Sequence, residues 1–128
     1  MKAILDTHFF LWWIAGSPQV SPKAHETIAD GSNTLYLSAA SGWEIAIKAK
    51  LGKLTMPEDI KVFLMEQLSL NSIHPLAVQL NHTLQVYSLP FLHRDPFDRL
   101  LIAQSQLENY PIITADEQIS KYPVEIIW

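Results

Sequence analysis

Short apolar runs that alternate with stretches of helical spacing constrain this chain more tightly than any other feature of its sequence. Lys2-Ala-Ile-Leu, closed by Asp6, reads as a buried strand of a parallel sheet. Thr34-Leu-Tyr-Leu37, the weaker Asn71-Ser-Ile-His74 ahead of Pro75, Tyr110-Pro-Ile-Ile-Thr114 and Val124-Glu-Ile-Ile-Trp128 are strand-like as well. Between them the spacing predicts helices over Thr7–Ala15, from Ser21-Pro22 to about Asp30, and from a cap at Ser38 or Ser41 to Gly52. Further helices run from Glu58 to about Leu68, from about Leu76 to Tyr87, and from Asp116 to Tyr122, with Leu89–Leu92 as a loop. The clearest helix start lies at Asp95-Pro96, an N-cap and a first-position proline followed by apolar Phe97, Leu100, Leu101 and Leu107. Strands that alternate with helices imply βαβ units and an α/β fold with a parallel sheet. At 128 residues the chain is expected to be one domain, 1–128, with one hydrophobic core.

Composition then excludes several classes of function. With no cysteine there are no disulfides and no thiolate metal sites, which fits a reducing cytoplasm. Phe9–Ala15 is the longest apolar run, far short of the ~20 residues that span a bilayer, so no membrane association is expected. A net charge of −4 argues against binding nucleic acid through a broad basic surface. That objection weakens if the acids are clustered and hold divalent cations, because the metal reverses the local field. The Thr7–Ala15 segment is apolar all round, and such a helix must be covered on every side, here by the sheet and by another chain. Phe9, Phe10, Trp12 and Trp13 exceed one helix face, so they mark either a contact surface or a large core.

The acids fall in equivalent places on that map. Asp6 follows the first strand, Glu44 lies in the first turns of the helix after the second, and Asp116 follows the fourth. Asp98 opens the helix that leads into the fourth strand. In an open parallel sheet the residues just beyond the strand carboxyl ends share one edge, and ligands bind there where the strand order reverses. Taken singly, Asp6, Asp95, Asp98 and Asp116 are ordinary helix-start residues, favoured by unpaired N–H groups and the helix dipole. Glu44 and Lys48 are spaced for a surface ion pair, yet Glu44 abuts a stripe of Trp43, Ile47 and Leu51 expected to be buried. Carboxylates brought together without neutralisation raise one another's pKa and destabilise the fold, so the joint pattern calls for a cation. Oxygen ligands alone point to Mg2+ or Mn2+ rather than zinc.

Leu5-Asp6-Thr7, Ser38-x-x-Ser41-x-Trp43-Glu44-Ile45, the run His93-Arg-Asp-Pro-Phe-Asp98-Arg-Leu-Leu-Ile-Ala103 and Ile113-Thr-Ala-Asp116 together resemble the PIN-domain nucleases. Among these the sequence is most similar to the VapC-type toxins of bacterial toxin–antitoxin systems, from end to end. The resemblance implies a three-layer α/β/α sandwich with a mostly parallel sheet and a Mg2+- or Mn2+-dependent endoribonuclease activity that leaves 5′-phosphate and 3′-hydroxyl ends. It places Asp6, Glu44 and Asp98 on the family's core acids and Asp116 on a fourth, with Asp95 on an acid of this subfamily. A bound ion would activate an attacking water and neutralise phosphate charge. Thr7 and Thr114 are candidates to orient a carboxylate or water, and Arg94, Arg99, Lys48, Lys50 and Lys53 to hold the RNA backbone. His93 shows no metal-ligand spacing and is a weaker candidate. The partners implied are RNA, a cognate antitoxin and a second copy of the chain. Two other readings stay open: a catalytically inactive binding module of the same fold, and a receiver-like Mg2+-binding phosphoacceptor. The second wants adjacent acids after the first strand and a lysine after the last, and neither is present.

Overall fold

In the computed structural model, which describes residues 1–128, five strands form one sheet. They are β1 (Lys2–Leu5), β2 (Thr34–Ser38), β3 (Ile73–Leu76), β4 (Ile112–Ile113) and β5 (Ile126–Ile127), ordered β3-β2-β1-β4-β5 with every neighbouring pair parallel. The helices are α1 (Thr7–Ile14), α2 (Pro22–Ala29), α3 (Ala39–Lys50), α4 (Ile60–Leu70), α5 (Leu80–Gln85), α6 (Pro96–Glu108) and α7 (Glu117–Ser120). None is long and apolar enough to cross a membrane.

The two-residue period of the strands sorts the core into two layers. Ala3, Leu5, Leu35, Leu37, Ile113 and Ile127 point to one face and pack with Phe9, Phe10, Ala24, Ile28, Ile45 and Leu68 from α1 to α4. Ile4 and Ile112 point to the other, against Leu101 and Ile102 of α6, Ile119 of α7, and Leu89 and Tyr122. Both faces are covered, which is why the strands read as unbroken apolar runs, and the result is a three-layer α/β/α sandwich.

Several local readings are corrected. Pro75 lies inside β3, opposite Leu37, rather than after it; β3 is an edge strand, and an edge tolerates the missing N–H. Leu76 pairs with Ser38 in the sheet, so α5 starts at Leu80, four residues later than expected. Asp59 caps α4 by accepting from the Val62 N–H at 3.2 Å, which leaves Glu58 outside it. The expected buried stripe on α3 is also wrong: Trp43 and Leu51 are 62% and 63% exposed. The face turned inward is Ala40, Ser41, Glu44 and Ile45, whose small residues let α3 approach α1 until Thr7 Oγ1 donates to Ser41 Oγ at 2.8 Å. Ser38, not Ser41, is the α3 cap, accepting from the Ala40 N–H.

The aromatic excess of α1 is absorbed within the chain. Phe9 and Phe10 are fully buried, Trp128 meets Phe9 edge-on at 5.7 Å and Trp12 at 5.9 Å, and Trp13 packs on His25 while its indole N–H donates to Asn71 Oδ1. The helix therefore needs no second chain to cover most of its circumference.

Candidate active site at the carboxyl edge of the sheet

The chain lays down β1, β2 and β3 outward in one direction, then returns to the far side of β1 for β4 and β5. Strand order thus reverses between β1 and β4, and in open parallel sheets the place beyond the carboxyl ends at such a reversal is where ligands bind. Asp6 leaves β1 at this point, its N–H held by the Ile113 carbonyl at 3.0 Å, and Thr114 leaves β4 alongside it.

Capping does not account for the acids that meet there. Asp6 occupies the N-cap position of α1, yet its side chain caps nothing, and its buried Oδ1 has no hydrogen-bond partner. Glu44 is 1% exposed; its Oε2 receives Lys48 Nζ at 2.6 Å, and its Oε1 is buried and unpartnered. Asp98, in the first turn of α6, takes His93 Nε2 on Oδ2 at 3.0 Å. Asp116 is the partial exception, because its Oδ1 caps α7 through the Gln118 N–H at 2.8 Å. Asp95 is a cap outright: its Oδ1 accepts from the N–H groups of both Phe97 and Asp98.

Electrostatics tie the four together. Burial pushes the Asp98 carboxyl up to about 8, and the nearby charges of Asp95, Asp6, Asp116 and Glu44 push the same way. Asp6 is raised to about 6, again chiefly by burial, with Asp116 and Glu44 adding and His8 and the Thr114 hydroxyl opposing. Lys48 is held above its ordinary value, first by its hydrogen bond to Glu44, and it also feels Asp95 and Asp98. Burial is the larger cause of both shifts, and the smaller charge effects show that the acids of residues 6 to 116 lie within Coulombic reach of one another at this edge.

The arrangement suits a hard divalent cation. No group of three or more acidic or imidazole side chains is arranged to hold a metal ion by itself. Mg2+ does not require one, since it keeps several waters and uses one or two carboxylates together with substrate phosphates. Two buried carboxylate oxygens without partners and two carboxyls that resist ionisation are the features an ion would relieve. Asp6 and Asp98 would hold it, with Glu44 and Asp116 at the margins.

Not every expected residue faces this pocket. Arg99 is 7% exposed and turned inward, donating to the carbonyls of Pro90 and Val86 and to the Tyr122 hydroxyl, so it does not present itself to RNA. Lys48 is engaged with Glu44, whereas Arg94, Lys50 and Lys53 are exposed. Thr7 is committed to Ser41, and Thr114 Oγ1 accepts from the Asp116 N–H, bracing the loop that carries that acid. His93 touches Asp98 directly, a contact its spacing did not suggest. Sequence reasoning missed Ser41 as the partner of Thr7, His8 beside Asp6, and Tyr122, which lies far along the chain and carries no local signal.

A parallel sheet covered by helices on both faces, with buried acids at its switch point, defines the class of protein. The chain belongs to the PIN domain family, whose model matches residues 3–125. Over 56 residues it is 41% identical to Ribonuclease VapC16 of Mycobacterium tuberculosis, a match that covers 44% of this chain and 40% of that protein. Among solved structures it is similar to VapBC2 from Rickettsia felis bound to a DNA fragment from their promoter, with a TM-score of 0.74, 19% identity, and coverage of 98% of this chain and 97% of that one. A toxin–antitoxin complex from Klebsiella pneumoniae aligns with a TM-score of 0.65 and 14% identity over 94% and 92% of the two chains. FitAcB from Neisseria gonorrhoeae does so at 0.58 and 18% over 98% and 96%.

Proposed function

We propose that this chain is a Mg2+- or Mn2+-dependent endoribonuclease and the toxin of a type II toxin–antitoxin module, acting in the cytoplasm. The observation that carries the reading is the convergence of Asp6, Glu44, Asp98 and Asp116, with two buried oxygens left unpartnered, at the switch point of a PIN-family sheet. The relative named as a ribonuclease and the similarity to toxin–antitoxin complexes support it.

When bound, the metal supplies positive charge that favours phosphodiester hydrolysis by lowering the pKa of water and offsetting charge on the phosphate. The chain's own residues prepare for that. The strand end and the helix start fix the backbone that carries Asp6 and Asp98. Lys48 balances Glu44 and limits the repulsion among the acids. Exposed Arg94, Lys50 and Lys53 are the cations free to contact phosphates. The apolar side chains left exposed on α3, α4 and α5, among them Trp43, Met65, Leu70, Leu80 and Leu84, offer the surface for an antitoxin segment and a second copy.

The test is cleavage of labelled RNA. Mg2+ or Mn2+ supports cutting, EDTA abolishes it, and Asp98→Asn abolishes it while its circular dichroism stays that of the parent; unchanged cutting by Asp98→Asn rejects the assignment. A receiver-like sheet runs 2-1-3-4-5, whereas the order here is 3-2-1-4-5, which removes the phosphoacceptor alternative. The inactive binding module predicts no saturable Mn2+ binding.

A further inference from the structure

Three nitrogens meet at one phenolic oxygen. The buried Tyr122 hydroxyl lies 3.2 Å from the His93 backbone nitrogen, 2.9 Å from Arg99 Nη1 and 2.8 Å from His93 Nδ1. A phenol has room to accept twice and one proton to give. The backbone N–H and the guanidinium N–H can only donate, so they take both acceptor positions, and the hydroxyl proton is left for Nδ1. A neutral imidazole that accepts at Nδ1 carries its own proton on Nε2, and Nε2 is 3.0 Å from Asp98 Oδ2. Each donation fixes the next along Arg99, Tyr122, His93 and Asp98. The direction cannot reverse, because the guanidinium has no acceptor and keeps its charge. Arg99 is itself anchored by the Pro90 and Val86 carbonyls and lies over the Phe91 ring at 5.0 Å. Tyr122 is 3% exposed and meets the imidazole ring at 5.4 Å, so neither side chain has room to turn away.

We infer that Tyr122, held by Arg99, is a positioning residue: it locks His93 as the Nε2–H tautomer, and the imidazole in turn fixes the orientation of Asp98. The role rests on the reading of Asp98 as a metal-holding acid. Partners that orient a ligating side chain in this way typically contribute about 10- to 100-fold in metal affinity. It also explains why Arg99, which follows Asp98 directly in sequence, points away from the pocket that Asp98 enters.

Two measurements on the full chain test it. In 15N-labelled metal-free protein at neutral pH, long-range 1H–15N correlations should show His93 protonated at Nε2 alone; protonation at Nδ1 overturns the role. Mn2+ titration calorimetry should then show Tyr122→Phe binding roughly tenfold more weakly than the parent, a loss of the size expected for such a partner. His93→Gln presents an amide N–H that can reach Asp98 without help from Tyr122, so in that background Tyr122→Phe should cost nothing further. An equal loss in both backgrounds assigns Tyr122 to packing alone and overturns the role. Parent protein with no saturable Mn2+ binding overturns the nuclease reading and the role together, whereas a wrong tautomer overturns the role by itself.

Discussion

Asp98 is asked to be two things, a buried side chain and a charged one. Its carboxyl is held at about 8 against an ordinary 3.8, so near neutral pH the folded metal-free chain keeps a proton that the unfolded chain has released. Below 3.8 both states are protonated and the group is neutral toward folding; as pH rises from there to about 8 the folded state is progressively penalised. Asparagine carries no such penalty. Asp98→Asn is therefore expected to melt higher than the parent at pH 8 in EDTA, with the gap closing toward pH 4, while RNA cleavage is lost. Differential scanning calorimetry across that range checks the sign, and a variant that melts lower at pH 8 contradicts it. Thr7 and Ser41 make the opposite kind of pair, neutral and mutually satisfied at 2.8 Å. Ser41→Ala leaves a buried hydroxyl without its acceptor, which costs about 1–3 kcal/mol and shows as a lower denaturation midpoint. The acids were legible in the sequence because each stands at a strand end or a helix start. The Tyr122–His93 contact was not, since 29 residues separate the two and neither belongs to a spaced motif.

Helix starts carry a second separation of roles. Asp95 and Asp98 lie in one turn, but Asp95 spends its oxygen on the N–H groups of Phe97 and Asp98, and Asp98 spends none on the helix. Asp95→Asn keeps an acceptor at the cap and should leave the melting temperature near the parent, although it removes one of the charges that raise the Asp98 carboxyl. Asp95→Ala removes the acceptor as well, at about 1 kcal/mol, and should lower the melting temperature by a few degrees. Elements with chemical stop and start signals were readable in advance: Ser21-Pro22 and Asp95-Pro96 begin α2 and α6 as expected. Boundaries decided by tertiary pairing were not. β3 extends through Pro75 because β2 offers it an edge, and α5 is delayed by the same pairing. On α3, apolar spacing alone favoured Trp43 and Leu51 for the interior. The close approach to α1, where Ser41 accepts from Thr7, turned the face with Ala40, Ser41, Glu44 and Ile45 inward instead.

Across the whole molecule the pocket and the fold are in competition. The parallel sheet brings acids from β1, α3, α6 and the β4–α7 connection to one edge, and the two apolar layers beneath supply the stability that holds them there. Asp6, raised to about 6, and Asp98, raised to about 8, both favour the folded chain when protonated, so metal-free stability should fall as pH climbs from about 4 through 8. A divalent ion needs those same groups ionised and must displace their protons to enter. At pH 5 both protons are in place and oppose binding; at pH 8 Asp6 has lost its proton and Asp98 about half of its own. An ion that binds only the folded chain stabilises it by about 2.7 kcal/mol at a hundredfold excess over its dissociation constant. Mn2+ should therefore raise the melting temperature clearly at pH 8 and little at pH 5, relative to EDTA at each pH. Equal shifts at the two pH values mean that the ion sits away from Asp6 and Asp98. No shift at either means that the acids converge for some purpose other than holding a metal.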